Sequence, residues 1–221
     1  MLRTLHILLA TLMLCACNSH AATPNEEAAC EPTREIIVGA QDTATYMPLL
    51  RNRRVTVLAN HTAMYDAERH IVDVMHAEGI NVVGIFAPEH GFRGSVEAGA
   101  TIEDGIDAKT GIAILSLYNG NTQRPSDDVM RSFDVLVVDM QDVGLRFYTY
   151  YITMVDVINR CADFKRKVIV LDRPNPNGMY VDGPILDMRY KSGVGALPIP
   201  VVHGLTMGEI AIMAAKNTIL S

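Results

Sequence analysis

The sequence predicts an α/β fold: a doubly wound, mostly parallel sheet with helices on both faces. Three observations carry this. Short apolar, β-branched runs recur at residues 55–59, 82–87, 135–138, 168–171 and 199–202. Runs that are apolar throughout, rather than alternating, read as strands buried on both faces. Segments with helical spacing lie between them, the pattern of successive βαβ units. Each run also stops abruptly in polar and small residues. Ligands of open parallel sheets bind beyond the carboxyl ends of the strands. The polar clusters therefore converge on one crevice and make the chain an enzyme candidate.

Residues 36–38, Ile-Ile-Val, read as a first short strand, followed by a helix over 43–53. The strand at 55–59 leads to a helix over 66–78, where Ile71, Val72 and Met75 form an apolar stripe and Gly79 supplies the stop. After the strand at 82–87 comes a glycine-rich stretch, 91–111, and then a strand over 112–117. Ser126 is an N-cap, with Asp127 and Asp128 in the first turn of a short helix to Phe133. The longest helix spans 147–164, with Tyr151, Val155, Ile158 and Ala162 on one face. A last helix starts near Thr206, with Glu209 at capping-box spacing.

The 221 residues suffice for one substantial core. The net charge of −6, without runs of Lys or Arg, argues against nucleic acid as the main partner. Residues 1–16 read as a lipoprotein signal peptide. Arg3 is a positive n-region, the apolar stretch 5–16 is too short to span a bilayer, and Leu14-Cys15-Ala16-Cys17 matches a lipobox with Cys17 as the lipidated residue. Cys15 is the poorer acceptor because Leu14 would occupy its cleavage position. An ordinary secretory signal cut near Ala21 is the alternative. Residues 17–34 read as a flexible tether, polar, Ala-rich and unpatterned. Lipidation places the protein in the cell envelope, anchored to a membrane and facing the periplasm or the surface. Cys30 and Cys161 could pair in an oxidising compartment, although Cys161 reads better as a buried small hydrophobe.

Glu89 is the leading candidate for chemistry. It follows a strand between Pro88 and His90-Gly91, where partial desolvation suits a carboxyl to general acid work. A turn-capping loop glutamate is the alternative. Asp139, Gln141, Asp142 and Arg146 form the densest polar cluster; Asp142 and Arg146 at spacing four either serve a site or make a structural ion pair. Tyr148 offers a stacking face for a sugar. Arg146 or Arg173 could clamp a carboxylate in bidentate fashion. Asp172-Arg173-Pro174-Asn175 is a strand end turned by prolines, and His61 and His203 also stand at strand exits. No G-x-G-x-x-G, P-loop, G-x-S-x-G or H-E-x-x-H pattern and no zinc-type cysteine spacing occurs, so neither a cofactor nor a metal is expected.

The blocks 88–94 (PEHGFRG), 141–150 (QDVGLRFYTY), 171–176 (LDRPNP) and 203–209 (HGLTMGE) together resemble the signature of the NamZ-like exo-β-N-acetylmuramidases, in order and over roughly residues 55–215. The resemblance implies a Rossmann-like catalytic domain over 35–221, with the family's smaller C-terminal domain missing from this chain. His61 stands where proline is expected in an Asn-Pro-Thr turn. The implied activity is release of N-acetylmuramic acid from non-reducing ends of peptidoglycan fragments, with muropeptides or disaccharides as partners. Glu89 matches the family's proposed catalytic glutamate and would protonate the leaving oxygen, with His90 orienting it. Asp139 or Asp142 would orient a water or steady the oxocarbenium-like transition state. An arginine among Arg93, Arg146 and Arg173 would read the lactyl carboxylate. Asn60, Gln141, Tyr148, Asp172, Asn175 and His203 complete the expected substrate-binding set. Two rival readings are a metal-dependent envelope hydrolase using His61, His90, Asp139 and Asp172, and a non-catalytic lipoprotein that binds cell-wall sugars.

Overall fold

The computed structural model describes residues 36–94, 103–118 and 124–216. The lipobox with Cys15 and Cys17, the tether 17–34 and Cys30 lie outside the described residues.

Six strands form one sheet: β1 (Val55–Ala59), β2 (Val82–Ala87), β3 (Gly105–Ile106), β4 (Ala113–Ser116), β5 (Val135–Asp139) and β6 (Lys167–Val170). Their order is β3-β4-β2-β1-β5-β6, and all neighbours are parallel except β3 against β4. β1 and β5 are buried along their whole length, which is why they read as continuous apolar runs. At the centre Val57 pairs with Ile85 on one side and Val137 on the other. Alternate side chains feed two cores. Val55, Val57, Val135 and Val137 pack with α1 (Thr43–Leu50) and α2 (Ile71–Ala77). Leu58, Phe86, Leu136 and Val138 pack with α3 (Asp127–Ser132), α4 (Tyr150–Asp163) and α5 (Met207–Lys216). Helices thus cover both faces, as expected of a doubly wound sheet.

The chain builds outward from β1 through β2 to β4, then returns to the other side of β1 as β5 and β6. The order therefore reverses between β1 and β5, and open parallel sheets bind ligands at such a switch point, beyond the carboxyl ends of the strands.

Several elements differ from expectation. Residues 36–38 are extended but pair with no strand, and Ile37 is 70% exposed: β-branched residues favour a strand only where a partner edge exists. The run 199–202 is not a strand either; Val202 makes single bridges to Leu145 and Asp182. Pro198 and Pro200 remove the donors a ladder would need. α1 stops at Leu50 ahead of Asn52, which has φ of 59°. α2 begins only at Ile71, because Asp66 captures the amides of Glu68 and Arg69 and folds that stretch into a loop. α4 starts at Tyr150. Its buried face includes Tyr151, Val155 and Cys161, while Ala162 is exposed. Cys161 is buried, as the sequence suggested, and has no disulfide partner among the described residues.

Candidate active site

The site is assembled from the carboxyl ends of β1, β2 and β5. Beyond β1, the Asn60 side-chain oxygen accepts the Thr62 amide at 3.0 Å and the Thr62 hydroxyl at 2.6 Å. This Asx turn is what Asn does well after a strand. The same hydroxyl oxygen accepts the Gln141 amide at 2.9 Å, tying the exits of β1 and β5 together across the switch point. Asn60 is fully buried; the Tyr150 hydroxyl lies against its side chain, but Nδ2 makes no well-formed hydrogen bond among the described residues. His61 packs against Gly94, where an added Cβ would come within 2.7 Å of the imidazole and where φ is +73°. Only glycine meets both conditions.

Beyond β2, the Gly91 amide closes a turn on the Pro88 carbonyl at 3.0 Å. His90 has φ of 71°, left-handed for a non-glycine residue, and Gly91 follows at 77°. Such backbone is unfavourable by about 1–3 kcal/mol and persists where surroundings impose it, often at functional sites. Glu89, half-buried, accepts the Thr149 hydroxyl at 3.2 Å on its Oε2, beside the first turn of α4. The His90 ring meets Tyr150 edge-on at 6.4 Å, and Tyr148 meets Tyr150 at 4.9 Å. Burial raises both tyrosine hydroxyls above their ordinary range, which keeps them protonated donors.

Beyond β5, Asp139 and Asp142 part company. Asp139 is sealed from solvent, and both its oxygens accept from the Arg173 guanidinium at 2.6 and 3.0 Å. Burial pushes the Asp139 carboxyl up, against the pull of that cation. Arg173 also donates to the Met64 carbonyl at 2.7 Å. This pair locks β5 to the turn after β6, so neither the expected catalytic role of Asp139 nor the expected substrate clamp by Arg173 fits the geometry. Asp142 is buried with no cation against it, and desolvation lifts its carboxyl to about 6. Its Oδ1 accepts the Gly144 amide at 2.6 Å, and Oδ2 has no partner.

Other expected site residues are engaged in structure. The expected Asp142–Arg146 pair does not form; Arg146 donates to the carbonyls of Pro184 and Ile199 at 2.7 and 2.8 Å. Arg93 is held between Asp73 and Asp107 at 2.8 and 2.9 Å, with Lys109 also on Asp73. Of the three arginines expected to read a carboxylate, Arg146 alone has no carboxylate partner among the described residues. Asp172 caps α5, accepting the Thr206 hydroxyl at 2.6 Å and the Gly208 amide at 2.8 Å. Gln141 donates to the carbonyls of Asp142 and Pro174, and Asn175 to that of Leu205. His203 is buried, 3.6 Å from Asp142. Tyr148 remains half-buried in the tyrosine wall beside Glu89. Among the described residues no group of three or more His, Cys, Asp or Glu gathers as metal ligands. The four residues of the metal reading do not fit one, since the Asp139 and Asp172 oxygens are already taken.

Sequence reasoning missed Thr62 and Thr149. Their spacing gives no signal, because their partners Gln141 and Glu89 lie far along the chain. His70 was missed too: its Nε2 bonds the Asn60 carbonyl at 2.8 Å and its Nδ1 accepts the Val72 amide, capping α2.

A family model described as "Exo-beta-N-acetylmuramidase NamZ, N-terminal" matches residues 55–221. The chain is 38% identical over 174 residues to the peptidoglycan β-N-acetylmuramidase NamZ of Bacillus subtilis (strain 168), covering 78% of this chain and 42% of that protein. Two crystal structures of DUF1343 family proteins from Bacteroides fragilis NCTC 9343 are similar. One is 53% identical with a TM-score of 0.73, covering 82% of this chain and 47% of its own. The other is 35% identical with a TM-score of 0.77, covering 86% and 48%. The chain spans less than half the length of each of these relatives.

Proposed function

The chain belongs to the exo-β-N-acetylmuramidase NamZ family, and from that premise we propose that it carries the catalytic face of an exo-acting glycosidase. The reaction is release of N-acetylmuramic acid from the non-reducing ends of peptidoglycan fragments. One observation carries the reading: Glu89 stands at the exit of β2 on a left-handed His90 turn, held by Thr149 beside a wall of tyrosines. In this reading Glu89 protonates the departing glycosidic oxygen. Asp142 supports the site from behind the tyrosine wall, since it is buried without a cation whereas Asp139 is sealed against Arg173. The exposed edge of Tyr148 meets the sugar, the buried Asn60 shapes the turn behind it, and Arg146 is the cation left to face the lactyl carboxylate.

The test is Glu89→Gln in the full-length protein, which removes the acid proton and keeps the shape. Turnover of an N-acetylmuramic acid glycoside with a poor leaving group should fall by about 10²–10⁴-fold. A glycoside with an activated leaving group should lose less. A folded variant with near-wild-type turnover on the poor leaving group sinks the assignment, and muropeptide binding without turnover in the wild type would favour a sugar-binding lipoprotein instead.

We also propose that Cys17 is lipidated and tethers this domain to a membrane of the cell envelope, supported by the lipobox spacing at residues 14–17. Cys17→Ser should release the protein into the soluble envelope fraction, whereas Cys15→Ser should stay membrane-bound. An acylated Cys17→Ser protein would refute this.

A further inference from the structure

Two of the motif blocks that are far apart in the chain meet in one buried pair. His203 Nε2 lies 3.6 Å from Asp142 Oδ1, with the two side chains 0% and 2% exposed. The backbone holds them there: the His203 amide donates to the Gly144 carbonyl at 3.0 Å and the Arg146 amide to the Val201 carbonyl at 2.8 Å. His203 Nδ1 accepts the Leu205 amide at 3.2 Å. An imidazole nitrogen that accepts carries no proton, so the ring proton of neutral His203 sits on Nε2 and faces Asp142.

His70 shows what a satisfied version of this arrangement looks like. Its Nδ1 likewise accepts the amide two residues on, yet its Nε2 reaches a carbonyl at 2.8 Å. His203 Nε2 and Asp142 Oδ2 are both buried without a hydrogen bond among the described residues. Buried unsatisfied groups are unfavourable, and two side by side call for an explanation. The groups facing Asp142 are Tyr148 from the turn before α4, Tyr151 from α4, the Val143 and Gly144 amides and His203. Arg146 lies near Tyr151 and gives its Nη1 donors to carbonyls rather than to Asp142. Tyr148 in turn meets Tyr150 edge-on, and Tyr150 meets His90 in the same way, next to Glu89.

Resting on the glycosidase reading of Glu89, we propose that Asp142 and His203 are a positioning pair that holds the Tyr148–Tyr150 wall of the site and switches with one proton. With Asp142 ionised, its carboxylate draws the His203 Nε2–H across the gap and fixes the turn that carries Tyr148. A proton taken from solvent by Asp142 removes that attraction and frees the turn. Burial lifts Asp142 to about 6 and disfavours the charged form of His203, so the switch falls on the acid side of neutrality.

Imidazole nitrogen NMR on the full-length protein tests the pair without any reference to activity. The His203 Nε2 signal should move with a midpoint near 6 while the ring stays in its Nε2–H form, and the movement should vanish in Asp142→Asn. A signal that does not move, or moves equally in Asp142→Asn, overturns the proposal. In turnover of an N-acetylmuramic acid glycoside, Asp142→Asn should lower kcat by about 10–100-fold, as small misplacements do. KM should hardly change, and the acid limb of the pH profile near 6 should disappear. His203→Gln, which keeps a donor at Nε2, should retain most of kcat, and His203→Leu should not. Asp142→Asn with an intact rate and acid limb also overturns it. If the wild type turns nothing over, the glycosidase reading falls while the NMR titration still decides the pair.

Discussion

Residue by residue, the most informative side chains are the buried titratable ones that make no ion pair. Burial lowers His70 to about 4 and lifts Asp142 to about 6. The unfolded chain protonates His70 below about 6.5, but the folded one resists until about 4, so this residue makes stability fall as pH drops through that window. Asp142 has the opposite sign. The folded state keeps its proton up to about 6 while the unfolded state loses it near 4, so stability falls as pH rises. Each contribution is about 3 kcal/mol, and the two nearly cancel. His203, also lowered by burial, acts in the same direction as His70. Urea unfolding between about pH 4 and 6.5 should therefore show a shallow dependence in the wild type. Asp142→Asn should expose a stability that rises with pH, and His70→Gln one that falls. Parallel profiles in all three would show that these groups are not shifted. Glu89 and Asn60 were legible as candidate site residues because they follow apolar runs. The difference between Asp139 and Asp142 was not, since nothing local shows that Arg173 neutralises one and leaves the other.

At the scale of elements, caps decide where helices begin. The Thr206 hydroxyl oxygen accepts the Glu209 amide and the Glu209 carboxylate accepts the Thr206 amide, the reciprocal pair that the spacing suggested. Ser126 caps α3 as its position implied, accepting the Val129 amide. Asp172 adds a second, non-local cap on α5 from the end of β6. Asp172→Ala should therefore cost about 2 kcal/mol, the upper range for an N-cap, with Asn recovering part of it. Equal unfolding midpoints for Ala and wild type would mean that the capping box alone suffices. The same segment was expected to bind substrate, and its polarity is instead spent on joining a strand to a helix. Likewise 199–202 looks like a strand by composition, but its prolines leave it only two bridges.

For the whole molecule, the sheet divides the core into two layers that do not share side chains. Met75 on α2 belongs to one and Met154 on α4 to the other, both fully buried. Truncating either to Ala should remove about 2–5 kcal/mol. The double variant should equal their sum within about 0.5 kcal/mol, because separated sites without common partners add. A large interaction free energy in chemical unfolding would mean that the sheet transmits strain between the layers.

Period and apolarity already determined the layered α/β fold, its central strands and two of its helix caps, because those depend on neighbours a few residues away. The four ordered motifs likewise pointed to the family. Strand order, and with it the switch point between β1 and β5, was decided only in three dimensions, since every candidate strand carries the same apolar signal. The tertiary structure also sorted the polar residues at the strand ends. Arg93, Arg173, Asp139 and Asp172 found partners in other segments and became framework. Glu89, Asn60, Asp142 and His203 kept atoms without a buried partner or a surface still reachable by ligand. Sequence supplies the charge and the hydrogen-bonding capacity of each group, but which of them are left uncompensated depends on contacts that close across the whole sheet.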